Sequence, residues 1–352
     1  MSRAELTDAL SGRSDARWRA KQIASWVYRR AVLEFDPMHD LPASLRAELS
    51  ERYAVQPLET VRHFAAKDGT EKLLVHGGDG QAFECVVFPT EERTSCCISS
   101  QLGCPMGCAF CATGKGGFDR NLSSGEIVAQ YLALQRLVAA RISHVVFMGM
   151  GEPLLNLPNV VKAIRLLGDE VGLSLRHITV STVGVVPQIY KLAEEALPIH
   201  LALSLHSPFD EIRGRMMPVN RRWPVAEVIQ AVRDYFKSTR RKVTIEYLMI
   251  GGVTDTPEQA AELARLVKGL QSVVNLIPFN YVETEQGFKR PTRESLRRFR
   301  AELEARGVNV TQRVERGHDI AAACGQLAGE HSGRFTRRES LSESQFLPSY
   351  PS

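Results

Sequence analysis

The chain of 352 residues is long enough for one large α/β domain with smaller additions, and its 44% hydrophobic residues can fill such a core. No apolar run reaches the roughly 18 residues of a membrane span, and the charged N-terminus is unlike a signal peptide, so we expect a cytoplasmic protein without a membrane partner. The net charge of +4 permits a nucleic-acid partner without requiring one.

The first 62 residues predict a small helical domain, because RWRAKQIASWVYRR has apolar residues at helical spacing and LPASLRAELSERY starts at a proline. Residues 63–92 predict a β-hairpin linker, in which the β-rich runs KLLVH and AFECVVF flank a Gly-Gly-Asp-Gly turn. Residues 93–329 are predicted as the main domain. The tail, 330–352, is rich in serine and arginine without periodicity, which favours disorder.

The main domain alternates β-rich runs with amphipathic helical segments, of which SSGEIVAQYLALQRLVA has Ser123 or Ser124 as its N-cap. Six such alternations predict a parallel α/β sheet, either open and doubly wound or closed into a partial or complete barrel. The predicted strands are 94–100, 144–150, 177–183, 199–206, 242–250 and 273–280.

Polar residues lie at or just after the ends of these strands. They are Glu152, Ser181, Ser204, His206 and Asn280. Parallel α/β folds build their binding sites at the carboxyl edge of the sheet, so these side chains are candidates for one site. Taken singly, His206 could equally be a core histidine whose ring nitrogens have hydrogen-bond partners. The two serines could form hydrogen bonds only to nearby backbone groups.

Three of the seven cysteines, Cys104, Cys108 and Cys111, lie in one glycine-rich loop directly after the first of these strands. Cysteines this close favour metal binding or redox catalysis over a secreted disulfide framework. A structural zinc requires four ligands, and no second ligand pair is present in the sequence nearby. A four-iron cluster held by three thiolates keeps one iron open for a ligand, so the spacing favours iron and sulfur over zinc.

The Cys-x3-Cys-x2-Cys loop and the later stretch FMGMGEPLLN resemble the radical S-adenosylmethionine (SAM) superfamily. This resemblance implies that the three cysteines hold a [4Fe-4S] cluster, whose open iron binds SAM and cleaves it to a 5′-deoxyadenosyl radical. It also implies that Gly151 and Glu152 hold the amino group of SAM. A dinucleotide-binding fingerprint is the alternative for this stretch, but its third glycine is missing and Pro153 is better explained as a helix start.

Four further stretches, TSCCISSQLGC, IPFN, SLH and RGHDIAAACGQLAG, resemble the RlmN/Cfr family of RNA adenine methyltransferases. The resemblance implies a partial (β/α)6 barrel with a small helical N-terminal domain. It also implies the residues that contact SAM: Gly151, Glu152, Ser181, Ser204, Leu205, His206 and Asn280.

The same resemblance assigns three catalytic residues. Cys324 accepts a methyl group from one SAM, and the radical from a second SAM activates that methyl for addition to the adenine, which joins enzyme and RNA covalently. Glu84 is the base that removes the ring proton, and Cys97 releases the product by forming a transient disulfide with Cys324. Cys96 adjoins Cys97 and is the alternative candidate for this releasing thiol. Neighbours on a strand point to opposite faces, so only one of the two can face the site.

The implied substrate is an adenosine of 23S rRNA in the peptidyl transferase centre, flipped from its stack, with a tRNA adenosine next to the anticodon as a further candidate. GMGEPLLN resembles the branch that methylates C2, whereas FKRPTRESL resembles the C8 branch. We expect a monomer that takes electrons from flavodoxin or ferredoxin. Competing interpretations are a radical SAM enzyme that acts on no RNA, such as a glycyl-radical activase, and a zinc-stabilised RNA-binding module without catalysis.

Basic clusters at 221–223, 240–242, 289–300 and 312–318 could contact phosphates, although most such charges only solvate helix faces. Trp18, Trp26 and Tyr28 could stack on bases or pack the N-terminal helices.

Overall fold

The computed structural model describes residues 1–55, 58–282, 286–314 and 316–327. The tail predicted for 330–352 lies outside these residues. Within them, no helix combines the length and the apolar character that crossing a membrane requires.

Three helices form the N-terminal part: α1 (Arg3–Ala9), α2 (Ala16–Ala24), which continues into a π-helical turn over Ser25–Arg29, and α3 (Ala43–Arg52). The helices predicted here are confirmed. They enclose a small apolar core of their own, whose members include Leu10, Ile23, Met38, Leu45 and Leu49. Trp18 does not join that core and is 56% exposed, whereas Tyr28 is buried.

Four antiparallel strands follow: β1 (Glu59–Ala65), β2 (Glu71–His76), β3 (Ala82–Pro89) and β4 (Thr94–Cys97). β2 and β3 form the predicted hairpin. The sequence does not predict β1, which spans position 62, because most of its side chains are exposed and lack an alternating apolar pattern.

A two-stranded ribbon of β5 (Gln101–Gly103) and β6 (Phe118–Asn121), with the short helix α4 (Ala112–Gly116) between them, comes after β4. Six strands parallel to β4 complete the main sheet: β7 (Ile142–Phe147), β8 (Ile178–Thr182), β9 (His200–Ser204), β10 (Val243–Met249), β11 (Ser272–Pro278) and β12 (Val310–Gln312). The spatial order is β1-β2-β3-β4-β7-β8-β9-β10-β11-β12. β4 and β7 to β11 are the six predicted strands, and the α/β fold class is confirmed.

The remaining helices connect these strands: α5 (Ser124–Gln135), α6 (Leu157–Asp169), α7 (Val186–Glu194), α8 (Asp210–Met216), α9 (Val225–Thr239), α10 (Pro257–Val267) and α11 (Arg293–Ala305). Ser123 is the N-cap of α5, since its hydroxyl accepts from the Glu126 amide while the Glu126 carboxylate accepts from the Ser123 amide. Such a cap is worth about 1 kcal/mol. Pro153 begins the 3-10 turn before α6, as predicted.

The pairing of residues between neighbouring strands determines which side chains lie on the same face of the sheet. Cys97 lies opposite Val86 on β3 and Val146 on β7. Cys96 lies opposite Val87 instead, and successive side chains of a strand point to opposite faces. Cys97 therefore shares a face with Val86, and Cys96 lies fully buried on the other side.

Candidate active site

A cleft lies at the carboxyl ends of the parallel strands. Its volume is about 740 Å³, which includes space open to solvent. Its wall includes Cys97 at the end of β4, Asn280 after β11, Arg313 after β12, and Cys324. Cys111 of the three-cysteine loop also reaches this wall. The fold therefore brings distant parts of the sequence together at the edge where α/β sheets bind ligands.

The three-cysteine loop connects β5 to α4. Gly103 begins it with a φ of +75°, and a Cβ at this position would overlap the carbonyl group of Gly117, so only glycine fits. The Cys104 amide donates to that carbonyl at 2.7 Å. Burial raises the pKa of the Cys104 thiol well above its usual value, and the Cys108 and Cys111 thiols raise it further.

No three histidine, cysteine, aspartate or glutamate side chains in the described ranges are placed to hold a single metal ion. The ligands of a four-iron cluster bind different irons, so their sulfur atoms need not converge on one point. Cys104 and Cys111 are partly exposed and Cys108 is buried. A group held by this loop would face the cleft, because Cys111 lines it.

The glycine-rich turn after β7 places Glu152 beside this loop. Gly151 has a φ of +102°, and a Cβ there would lie 2.5 Å from the Gln101 side chain, so glycine is required. The Glu152 carboxylate accepts hydrogen bonds from the Leu154 amide at 3.1 Å and the Val183 amide at 2.9 Å. Burial nevertheless raises its pKa to about 7. A bound cation would stabilise the ionised form, which fits the role predicted for Glu152 toward an ammonium group.

Leu205 and His206 directly follow β9, and Leu205 is completely buried. His206 has a φ of +61°, which is uncommon for a residue other than glycine, and its Nδ1 accepts from the Leu248 amide at 3.1 Å. Its ring packs edge-on against Phe110 of the three-cysteine loop, with 4.9 Å between ring centroids. Burial, aided by nearby Arg213, lowers the pKa of His206 to about 3, so the ring is neutral. His206 thus supports the loop as an uncharged group.

Two serines and an asparagine complete the predicted set. The hydroxyl oxygens of Ser181 on β8 and Ser204 on β9 are 3.3 Å apart. The Asn280 amide donates to the Cys324 carbonyl at 3.3 Å, while its buried Oδ1 has no hydrogen-bond partner among the described residues. A buried unpaired polar atom costs about 1–3 kcal/mol, so a donor on a bound molecule would stabilise this site.

The segment that carries Cys324 is anchored beside the three-cysteine loop. The Ala112 amide donates to the Gly325 carbonyl at 2.8 Å, and the Thr113 hydroxyl donates to the Leu327 carbonyl at 2.5 Å. Cys324 itself remains partly exposed in the cleft. These contacts hold Cys324 next to the residues that follow Cys111.

Cys97 and Cys324 interact with each other and with Arg313. Burial raises the pKa of Cys97 to about 12, with Cys324 adding to the rise and Arg313 opposing it. Burial also raises the pKa of Cys324, and Arg313 again opposes the rise. The Arg313 Nη1 atom lies 3.6 Å from the Met148 sulfur, and both residues line the cleft. One guanidinium therefore favours the thiolate form of both cysteines.

The disulfide expected between Cys97 and Cys324 is not supported, since all seven cysteines are free thiols. Both residues are thus reduced, and each becomes a nucleophile once its thiol loses a proton. Of the two adjacent candidates on β4, Cys97 lines the cleft with Cys324, whereas Cys96 lies on the opposite face of the strand.

Glu84 is not among the residues that line the cleft. Its side chain shares a face of β3 with Val86, which does line it. The Glu84 carboxylate forms an ion pair with Lys72 Nζ at 2.8 Å, and both side chains are almost completely buried. The structure therefore brings Cys97 and Cys324 together in the cleft, whereas Glu84 lies outside its lining, two residues before Val86 on β3.

Two family models match the sequence: the radical SAM superfamily over residues 98–266 and the ribosomal RNA large subunit methyltransferase N-terminal domain over residues 1–55. A "Probable dual-specificity RNA methyltransferase RlmN" from Symbiobacterium thermophilum is 47% identical to this chain, covering 95% of it and 92% of that relative. The chain belongs to the RlmN family. Relatives of the same name from Rhodopirellula baltica and Thermosynechococcus vestitus are 45% and 44% identical over 92% and 93% of this chain, and over 88% and 96% of their own.

A solved structure agrees with this assignment. The crystal structure of a radical SAM methyltransferase from Sphaerobacter thermophilus matches with a TM-score of 0.91 and 44% identity, covering 94% of this chain and 98% of that chain. The RlmN family belongs to the radical SAM superfamily, whose cofactors are a [4Fe-4S] cluster and SAM. Three neighbouring thiols and the unpaired Asn280 oxygen fit such groups.

One buried side chain at this site, Arg213, is not among the site residues predicted from the sequence. Arg213 on α8 is fully buried and donates to the Leu205 carbonyl at 3.0 Å and the Val183 carbonyl at 2.6 Å. Burial lowers its pKa to about 10, and Cys108 opposes that change. Arg213 thus connects the loops after β8 and β9 by hydrogen bonds and lies beside the three-cysteine loop. The sequence offers only a weak signal, because an arginine on an amphipathic helix normally faces solvent.

Proposed function

We propose that the protein methylates carbon C2 of an adenosine of 23S rRNA in the peptidyl transferase centre, and that a tRNA adenosine next to the anticodon is its second substrate. The observation that carries this proposal is the pairing of Cys97 and Cys324 in a cleft that Cys111 also lines. The relatives are named as probable dual-specificity RNA methyltransferases, which supports RNA as the substrate class. The resemblance of GMGEPLLN to the C2 branch supports the position.

Cys104, Cys108 and Cys111 would hold the cluster. The residues that would contact SAM are Gly151, Glu152, Ser181, Ser204, Leu205, His206 and Asn280. With an electron from a donor such as flavodoxin or ferredoxin, these cofactors together would supply a 5′-deoxyadenosyl radical. Glu152 would accept from the ammonium group of SAM, and the Asn280 Oδ1 would accept from a further donor.

Cys324 is the methyl carrier in this proposal. Carbon C2 of adenine lies between two ring nitrogens and is electron-poor, so it cannot displace an electrophilic methyl directly, whereas a thiolate can. Cys324 is partly exposed in the cleft, and its electrostatic neighbours include both Cys111 and Cys97. Cys324 is therefore placed to contact both the cofactors, which Cys111 would help to hold, and Cys97, the thiol proposed to release the product.

Cys97 and Glu84 would complete the reaction. Cys97 lies on the cleft wall and interacts with Cys324, so it is placed to release the product from that sulfur. Arg313 favours the thiolate form that such an attack requires. Glu84 would accept the ring proton as a general base.

The N-terminal helices offer one surface for RNA. Trp18 is 56% exposed, and the Arg19 guanidinium lies 4.7 Å from its ring centroid, an arrangement that suits base stacking. Several arginines of the basic clusters already have protein partners: Arg241 donates to the Ile199 carbonyl, Arg300 pairs with Glu304, and Arg316 donates to the Pro89 carbonyl. Fewer phosphate contacts are therefore available than the basic clusters indicate.

Mass spectrometry of nucleosides tests this function. Reconstituted enzyme is incubated with SAM, a reductant and unmodified 23S rRNA or tRNA, with Cys324→Ala as the matched control. We expect 2-methyladenosine with the parent enzyme and none with the control. An 8-methyladenosine product would favour the C8 alternative, which FKRPTRESL resembles. Cleavage of SAM with no modified adenosine in either RNA would contradict the function.

A further inference from the structure

Lys72 and Glu84 form an ion pair inside the antiparallel part of the sheet. The ammonium lies 2.8 Å from the carboxylate, and the two side chains are 2% and 1% exposed. The Lys72 Nζ also lies 4.9 Å from the ring centroid of Phe64. Removing two charges from water is costly, and apolar side chains of similar volume often serve the fold equally well. The pair therefore points to a role beyond packing.

Lys72 has a second partner on the segment that carries Cys324. Its Nζ donates to the Ala321 carbonyl at 3.4 Å. Ala321 has a φ of +50°, a left-handed conformation that surrounding contacts must hold in place for a residue other than glycine. One ammonium thus contacts the Glu84 carboxylate and the backbone three residues before Cys324.

The turn between β1 and β2 holds the same segment at two further points. The Gly317 amide donates to the Asp68 carboxylate at 3.0 Å, and the Lys67 amide donates to the Asp319 carboxylate at 3.2 Å. A Cβ on Gly317 would lie 2.8 Å from the Thr70 side chain, which shows how closely the two segments pack. The β1–β2 turn is therefore a seat for the Cys324 segment, and Lys72 extends it to Glu84.

We propose that Lys72 is a positioning residue, which fixes Glu84 relative to Cys324 so that the carboxylate can take the ring proton of an adenosine joined to Cys324. This inference rests on the proposed function. In that step the proton passes from C2 to a Glu84 oxygen, the electron pair of the C–H bond stays with the nucleoside, and Lys72 keeps its own protons. The Ala321 carbonyl and the Phe64 ring remain as partners of the ammonium once Glu84 is neutral.

A purely structural ion pair would affect every step of the reaction alike. A positioning role affects only the step that needs Glu84, after enzyme and RNA are joined. Methylation of Cys324 comes earlier and does not use the base. The two roles are therefore separated by measuring Cys324 methylation and covalent protein–RNA adduct in the same samples.

The test uses full-length reconstituted enzyme with Lys72→Met, Lys72→Arg and Glu84→Gln. Lys162→Met is the control, because it removes a lysine from the partly exposed pair with Glu5. Peptide mass spectrometry quantifies methyl-Cys324, and a denaturing gel quantifies adduct with labelled RNA. Lys72→Met is expected to methylate Cys324 as the parent does, to accumulate adduct as Glu84→Gln does, and to lose about 10²-fold in turnover. Lys72→Arg should recover part of this loss, and the control should match the parent.

Three results would overturn the inference: parental turnover by Lys72→Met, a loss of Cys324 methylation as large as the loss of turnover, or additive defects when Lys72→Met and Glu84→Gln are combined. Lys72→Gln, which can still donate to the Ala321 carbonyl, replaces Lys72→Met if that variant does not fold. Failure of the proposed function would look different, because the parent enzyme itself would form neither adduct nor methyladenosine.

Discussion

The three-cysteine loop and the Cys324 segment meet at one cleft but are held in different ways. The loop is closed in part by local contacts, such as that between the Cys104 amide and the Gly117 carbonyl, and in part by Phe110 packing on His206. The Cys324 segment depends on distant parts of the chain, including the β1–β2 turn, α4 and Asn280. Local sequence thus shapes much of the three-cysteine loop, whereas the position of Cys324 depends mainly on tertiary contacts. Substitutions should therefore be able to disable one without the other.

The largest effects should come from the two loops themselves. Cys104→Ala and Cys324→Ala should each reduce RNA methylation by at least about 10³-fold, since each removes a group that the proposed mechanism requires. Only Cys104→Ala should lose iron, sulfide and SAM cleavage, as measured by metal analysis and release of 5′-deoxyadenosine. Loss of SAM cleavage in Cys324→Ala would contradict the separation of the two loops. Zinc without iron or sulfide in the parent protein would contradict the radical chemistry as a whole.

The next largest effect concerns release from Cys324. Cys97→Ala should accumulate protein joined to RNA on a denaturing gel, because the thiol on the cleft wall is missing while the proposed methyl carrier, Cys324, is intact. Cys96→Ala is the matched control and should turn over normally, apart from the stability lost in the core. Accumulation in Cys96→Ala but not in Cys97→Ala would show that the two thiols are assigned the wrong way round.

A smaller effect is expected at Arg313. Its guanidinium lowers the pKa of both Cys97 and Cys324 against the effect of burial. Arg313→Met should therefore raise both thiol pKa values and shift the pH dependence of Cys324 methylation to higher pH. A rise of one pKa unit corresponds to about tenfold less thiolate at neutral pH. Arg313→Lys should keep most of the parental rate, and an unshifted pH profile in Arg313→Met would exclude this role.

The smallest effect should follow from loosening the seat of the Cys324 segment. Asp68→Ala removes the acceptor for the Gly317 amide and should lower the free energy of unfolding by about 1 kcal/mol. Burial alone would raise the pKa of Asp68, but amide donors outweigh it and the pKa is lowered, so this contribution is present above about pH 4 and is lost as the pH falls further. Alkylation of Cys324 should also become faster.

Asp79→Ala is the matched control for this change. It breaks the ion pair with Arg120 in the β2–β3 turn, at the opposite end of β2 from Asp68. It should leave the alkylation rate of Cys324 unchanged. Equal alkylation rates in the two variants would show that the seat does not restrain Cys324.

The parts that could be predicted from sequence are those with local signals. Six parallel strands, the β2–β3 hairpin and a serine N-cap at Ser123 or Ser124 follow from periodicity and turn chemistry, and the three-cysteine spacing marks the loop proposed to hold the cluster. β12 has only three residues, too few for a periodic pattern. The fully buried Arg213 and Lys72 could not be recognised, because charged residues in amphipathic elements normally face solvent. Cys324 was singled out by family resemblance alone, since a lone cysteine also suits a core.

Transfer of an isotope from Cys324 to RNA tests the central claim most directly. Enzyme is first methylated at Cys324 with trideuteromethyl SAM, freed of excess reagent, and then supplied with RNA, reductant and unlabelled SAM. We predict deuterium in the methyl group of the first methyladenosine formed, with loss of the label from Cys324. Methyladenosine without deuterium, while the label stays on Cys324, would contradict the account.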